Sequence, residues 1–238
     1  MVRLFVLGNK ETGLHFSPFA WRTIIALSYK EIAYDLEILN LSEVGPKIMK
    51  MTDGKWKLIP VVQFDDGKIF YESFDIAVEL EKRYPTPQLF PNGLTNAKFY
   101  EAYFIAHLIP VFKRVIPNML PAFNEEDRVI FRESREASFK KTLEEFVGDI
   151  GSLKSAADLC FDPLRAALKH GAYLEGDHFS YSDVIFLGGF QWIKTTTPAD
   201  FKLYVSKHHD RVLKEWYSKC DENAERCFVI CQNCRGTN

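Results

Sequence analysis

The spacing of hydrophobic and polar positions changes near residue 85. Before that point, short apolar runs alternate with helical stripes. Arg3 to Gly8 carries Leu4, Phe5, Val6 and Leu7 and predicts a strand. Pro18 to Tyr29, opened by Ser17-Pro18, predicts a helix, and Ala33 to Leu39 predicts a second strand with Tyr34, Leu36 and Ile38 on one face. Glu43 to Met51 predicts a short helix made irregular by Gly45 and Pro46. Ile59 to Phe64 and Lys68 to Tyr71 are β-rich runs joined by Asp65-Asp66-Gly67, a hairpin signal. Ser73 to Tyr84 returns to helical spacing through Ile76, Ala77, Leu80 and Tyr84. The predicted order is β-α-β-α-β-β-α, an α/β sandwich.

The segment from Pro85 to Gly93 holds Pro85, Pro87, Pro91 and Gly93 and reads as an extended linker. Beyond it the pattern is helical throughout. Asn96 to Ile116 predicts a long helix kinked at Pro110. Glu125 to Ile150 predicts an amphipathic helix whose stripe includes Val129, Ile130, Ser134, Ala137, Leu143, Phe146, Val147 and Ile150. Arg128, Arg132 and Arg135, interleaved with Glu126, Glu133 and Glu136, read as its solvated face. Further helices are expected over Ser155 to Lys169, Tyr181 to Lys194 and Phe201 to Tyr217. The expected division is an α/β domain over 1–84, a linker over 85–94 and an all-helical domain over 95–238.

Composition narrows the function. A net charge of −2 provides no footprint for nucleic acid. The first apolar run is too short for a secretory signal, and no run reaches the roughly 18 residues of a membrane span, so a cytoplasmic setting without membrane partners is expected. Aromatic residues reach 14%, which fits a pocket for flat apolar ligands as well as a ring-rich core. Of five cysteines, Cys160 falls in a helical stretch, while Cys220, Cys227, Cys231 and Cys234 crowd the C-terminus. That tail has thiol spacing compatible with a metal, but no histidine follows at finger spacing, so no metal is assigned. His208-His209 reads as a solvated helix start.

Three local features carry chemistry. Ser17 precedes Pro18, the arrangement of a capped helix N-terminus, where unpaired N–H groups stabilise an anion such as a thiolate. Ile59-Pro60 opens a strand, where proline sits at the first position or in a cis turn; the cis form exposes the Ile59 backbone to an extended peptide. Glu72-Ser73 precedes a helix that Ser73 can cap, and the pair suits both charges of an α-amino acid end.

In this order and in this domain, the three features resemble the thioredoxin-like domain of the cytosolic glutathione transferases, and the linker and helical half extend the resemblance over nearly the whole chain. Ser180-Tyr-Ser-Asp183 matches that family's capping box in the second domain, with Phe179 and Val184 at the staple positions. The block Phe16-Ser-Pro-Phe-Ala-Trp-Arg-Thr23 looks like the serine-type β-etherase-related and fungal-specific classes. The resemblance implies glutathione as co-substrate, no metal, and a homodimer. By the same resemblance Ser17 is the catalytic, thiolate-stabilising residue. Ile59 and Pro60 pair with the glutathione backbone, Glu72 and Ser73 hold its γ-glutamyl end, and Lys47 meets its glycyl carboxylate. Leu58 departs from classes that carry a polar side chain there. Phe19, Tyr103 and Phe104, with Tyr100 and Phe112, are candidates for the substrate side, although their spacing equally fits helix core. The implied activity is transfer of glutathione to apolar aromatic electrophiles, lignin-derived or polyphenolic compounds among them, with etherase-like and peroxidase-like reactions in range. The alternative is a ligandin-type carrier of phenolic compounds.

Overall fold

The computed structural model describes residues 1–202, 205 and 211–230. Strand β1 (Val2–Asn9) is central. It runs parallel to β3 (Tyr34–Leu39) and antiparallel to β4 (Val61–Gln63), which pairs with β5 (Ile69–Tyr71). A two-residue strand β2 (Leu14–His15), not anticipated from the pattern, folds back on Gly8 and Asn9. The period of two sorts β1 between two cores. Val2, Leu4 and Val6 join the large core, where α1 (Pro18–Tyr29) and α3 (Ser73–Arg83) pack. Phe5 points the other way, against Val44 and Ile48 of α2 (Leu41–Met51).

Helix α2 corrects the expectation of an irregular segment. Asn40 and Glu43 form a reciprocal capping box, and Pro46 removes only its own N–H from the ladder, so the helix stays regular. At α3, Glu72 rather than Ser73 occupies the cap position, with φ 66° and ψ 120°. A non-glycine residue at that φ is strained by about 1–3 kcal/mol, and such strain persists only where surrounding contacts hold it. Here the Tyr181 hydroxyl holds the neighbouring Ser73 carbonyl at 2.8 Å.

The helical half is more broken than its periodicity suggests. The expected kinked helix is two helices, α4 (Leu94–His107) and α5 (Ile109–Asn118), because Pro110 falls at the start of the second. The expected long helix over Glu125 to Ile150 is α6 (Glu125–Phe139), α7 (Leu143–Val147) and the start of α8 (Ile150–Leu159). The breaks come at Lys140 (φ 54°) and Gly148 (φ 66°), both in left-handed backbone. The expected stripe is also wrong on α6. Val129 is 54% exposed, while Phe131 and Asp127 are buried. Pro163 ends the next run, separating α8 from α9 (Asp162–Ala167). Helix α10 (Tyr181–Thr196) is the buried axis of this half, followed by α11 (Pro198–Phe201) and α12 (Arg211–Ile230).

Two glycines let α10 approach closely. A Cβ on Gly188 would lie 2.8 Å from the Pro18 carbonyl oxygen, and one on Gly189 would lie 2.7 Å from the Phe104 ring. The α1 N-terminus is therefore fixed directly against the second half. The linker is anchored as well: Lys30 bonds Glu81 and the carbonyls of Tyr84 and Pro87, and the Leu89 carbonyl accepts from the Tyr181 N–H.

Candidate active site

Ser17 ends the chain reversal from β2 into α1. Its backbone is extended (φ −119°, ψ 129°), Pro18 takes the first helical position, and its hydroxyl accepts the Ala20 N–H at 3.3 Å. That bond uses a lone pair and leaves the O–H hydrogen to donate. The first turn of α1 carries no acidic side chain to offset the partial positive charge there.

Ser17 forms part of the wall of a cavity of about 410 Å³. Leu58 and Ile59 line the same cavity, as does Phe19 from α1. The Ile59–Pro60 bond is cis. The β4–β5 register pairs Val61 with Tyr71, so its next step sets Pro60 beside Glu72. Thus the Ile59-Pro60 step adjoins the strained N-terminus of α3. Burial, reinforced by Asp75 and Glu101, raises the Glu72 carboxyl above the usual range. Lys98 opposes that shift, and Glu101 is itself paired with Lys98 at 2.7 Å and Arg22 at 3.4 Å.

The opposite wall comes from the second half: Phe112 and Ile116 of α5, Met119, Trp192 of α10, and Phe131, Arg135 and Phe139 of α6. Asp127 ties α6 to the first domain. Its carboxylate is buried and accepts the Leu41 and Ser42 N–H groups at 2.6 and 2.9 Å, capping α2 from the other half of the molecule. No carboxylate or imidazole lines the cavity among the described residues. His15, two residues before Ser17, packs on Trp21 at 4.5 Å, and burial lowers its pKa to about 4, so it is neutral at neutral pH.

Other expected site residues lie elsewhere. Lys47 pairs with Glu37 of β3, sits 5.4 Å from the Phe5 ring, and does not line the cavity. Tyr103 and Phe104 correct the expected substrate side. The Tyr103 hydroxyl is held by the Cys160 carbonyl at 2.8 Å. Phe104 is 1% exposed, with the Arg22 guanidinium 4.5 Å from its ring. Tyr100 likewise donates to the Leu174 carbonyl at 2.9 Å, which leaves Phe112 as the α4–α5 aromatic that reaches the cavity. Arg135 corrects the solvated-face reading. Arg132 does pair outward with Glu136 and Glu144, and Arg128 bonds the Leu120 and Phe123 carbonyls, but Arg135 turns into the cavity. One signal was present in the sequence: Phe131, Arg135 and Phe139 recur every four residues, a single stripe on a helix.

Residues 16–83 match the family model described as glutathione S-transferase, N-terminal domain, and residues 95–222 match the one described as glutathione S-transferase, C-terminal domain. The chain belongs to the glutathione S-transferase family. It is 24% identical to rat glutathione S-transferase omega-1 over 210 residues, covering 88% of this transferase chain and 75% of the rat protein. In fold it is similar to glutathione transferase GSTFuA2 from Phanerochaete chrysosporium, with a TM-score of 0.82, 21% identity and coverage of 94% and 97% of the two chains. It is also similar to a Ceriporiopsis subvermispora glutathione S-transferase solved in complex with glutathione, with a TM-score of 0.80, 19% identity and coverage of 94% and 98%.

Among the described residues, no group of three or more His, Cys, Asp or Glu is arranged to hold a metal, and no helix of this transferase is long and apolar enough to cross a membrane. Cys160 and Cys220 are free thiols. Cys231 and Cys234, His208 and His209 lie outside the described residues, as does the Cys227 side chain.

Proposed function

We propose that this chain conjugates glutathione to apolar aromatic electrophiles, with Ser17 as the catalytic residue that stabilises the glutathione thiolate. The observation that carries this reading is that Ser17 and Ile59 share the wall of one cavity whose far side is mostly aromatic and apolar. Glutathione would lie along the exposed backbone at Ile59-Pro60. Its γ-glutamyl carboxylate would meet the α3 N-terminus, and its ammonium Glu72. The thiol loses its proton to solvent, and the Ser17 hydroxyl donates to the thiolate that remains. The sulfur then attacks the electrophilic carbon, a C–S bond forms, and the leaving group departs with its bonding electrons. The lack of a carboxylate or imidazole in the described lining supports thiolate stabilisation over general-base catalysis.

Lignin-derived and polyphenolic compounds fit the aromatic wall, and cleavage of an aryl ether would follow the same thiolate attack with a phenolate leaving. The test is Ser17→Ala, assayed by the pH profile of kcat/KM for conjugation. One hydrogen-bond donor aimed at developing or bound negative charge is worth about 10²-fold. A fall of that size, with the acid limb of the profile moved to higher pH, is expected; an unchanged profile overturns the role.

A second reading has an observation of its own. Leu58, 54% exposed at the cavity rim, adds apolar surface where it cannot hydrogen-bond a peptide. That favours a carrier of phenolic ligands, and tight dye binding without turnover would decide for it.

A further inference from the structure

Arg135 differs from the arginines beside it on α6. Its guanidinium lies 5.0 Å from the Phe131 ring centroid, is half-buried at the cavity wall, and has no acidic or hydrogen-bond partner among the described residues. It is the one charged side chain among the described residues lining the cavity. The nearest acid along the helix, Glu136, already accepts from Arg132 at 3.0 Å and from the Leu143 N–H at 3.1 Å. Desolvation lowers the Arg135 pKa, with no neighbouring charge to offset it. A half-buried cation without a counter-charge is costly, and an anion bound beside it removes most of that cost.

Trp192 shares the wall, and its indole N–H is buried. The rest of the far wall consists of Phe112, Ile116, Met119, Phe131 and Phe139, which offer no acceptor and no charge. The cavity therefore pairs an aromatic lining with one cation that an anionic ligand would satisfy. Arginine is suited to a planar carboxylate, which its fork can grip with two parallel bonds.

We propose that Arg135 makes this cavity selective for aromatic second substrates that carry a carboxylate or comparable anionic group, held on the α6 side away from Ser17. The selectivity rests on the conjugation reading for its location, but it is a binding property and can be measured without turnover.

The test compares 4-chloro-3,5-dinitrobenzoate with the neutral 1-chloro-2,4-dinitrobenzene in the wild type, Arg135→Met and Arg135→Lys. Both reactions form a C–S bond and release chloride. Arg135→Met is expected to raise KM for the benzoate at least tenfold, to change KM for the neutral compound less than twofold, and to leave KM for glutathione unchanged; Arg135→Lys is expected to restore part of the loss. Equal changes for both electrophiles overturn the proposal. So does a rise confined to glutathione, which would assign Arg135 to a glutathione carboxylate. Equilibrium binding of the non-reactive pair 3,5-dinitrobenzoate and 1,3-dinitrobenzene, read by quenching of tryptophan fluorescence, separates the two readings. Preference for the benzoate, lost in Arg135→Met, supports the proposal even where Ser17 chemistry fails. Equal binding of the pair by the wild type overturns it even where conjugation proceeds.

Discussion

Two serines open helices in this molecule, Ser17 at α1 and Ser180 at α10, and they do different things. Both are buried and both have extended backbone. At Ser180 the third helical residue is Asp183, whose carboxylate bonds the Ser180 N–H and hydroxyl at 3.0 Å each, the Leu174 N–H at 3.0 Å and the Trp216 indole at 2.7 Å. The negative charge that a helix N-terminus attracts is built in, and the site is closed. At Ser17 the third residue is Ala20, the first turn has no acid, and the end borders a cavity. The same cap grammar yields a structural joint where the chain supplies its own anion and a candidate reactive site where it does not.

Substitutions test that contrast, beginning with the largest effect. Asp183→Ala removes one carboxylate from four buried donors and is expected to lower stability by about 3–5 kcal/mol in urea titrations. A loss under 1 kcal/mol would mean that the α10 joint is not a structural keystone. Ser17→Ala is expected to lower turnover about 10²-fold while costing only about 1 kcal/mol of stability. Ser180→Ala should show the reverse pattern, with about 1–2 kcal/mol of stability lost and kcat/KM unchanged in the folded enzyme. If the two serines trade stability and activity alike, the contrast fails. The smallest effect is on pH dependence. Burial raises the Asp183 carboxyl to about 6 despite its donors. A carboxyl whose pKa is higher in the folded than in the unfolded chain stabilises the fold most when protonated, and this contribution is lost as pH rises through 6. Relative to Asp183→Asn, the wild type should gain about 1 kcal/mol between pH 7 and pH 5, by the difference between their denaturation midpoints.

Capping and turn chemistry were legible in the sequence because they are local. Ser17-Pro18, the Ser180–Asp183 box, the Asp65-Asp66-Gly67 hairpin and the Ile59-Pro60 step each involve residues within a few positions of one another. Backbone geometry and side-chain reach settle such groups before the chain is packed. The change of hydrophobic period at residue 85 was legible for the same reason. One class of error concerns which face of a helix is covered. Val129 and Phe131 compete as inward positions on α6, and the winner depends on Phe16 and Phe123, which pack together at 4.7 Å, with Phe123 meeting Phe131 at 4.6 Å.

The sequence by itself thus determined the order of the main strands and helices in the first 84 residues and both serine caps, and left the Ile59-Pro60 step open between a strand start and a cis turn. Tertiary structure alone decided that Lys47 turns to Glu37, that Phe104 becomes core against Arg22 and Gly189, and that Asp127 reaches across to cap α2. It also decided that Arg135 leaves the solvated face of its helix for the cavity. Long side chains take the partner that packing brings within reach, and that partner can lie 86 residues away, as Asp127 does from Leu41.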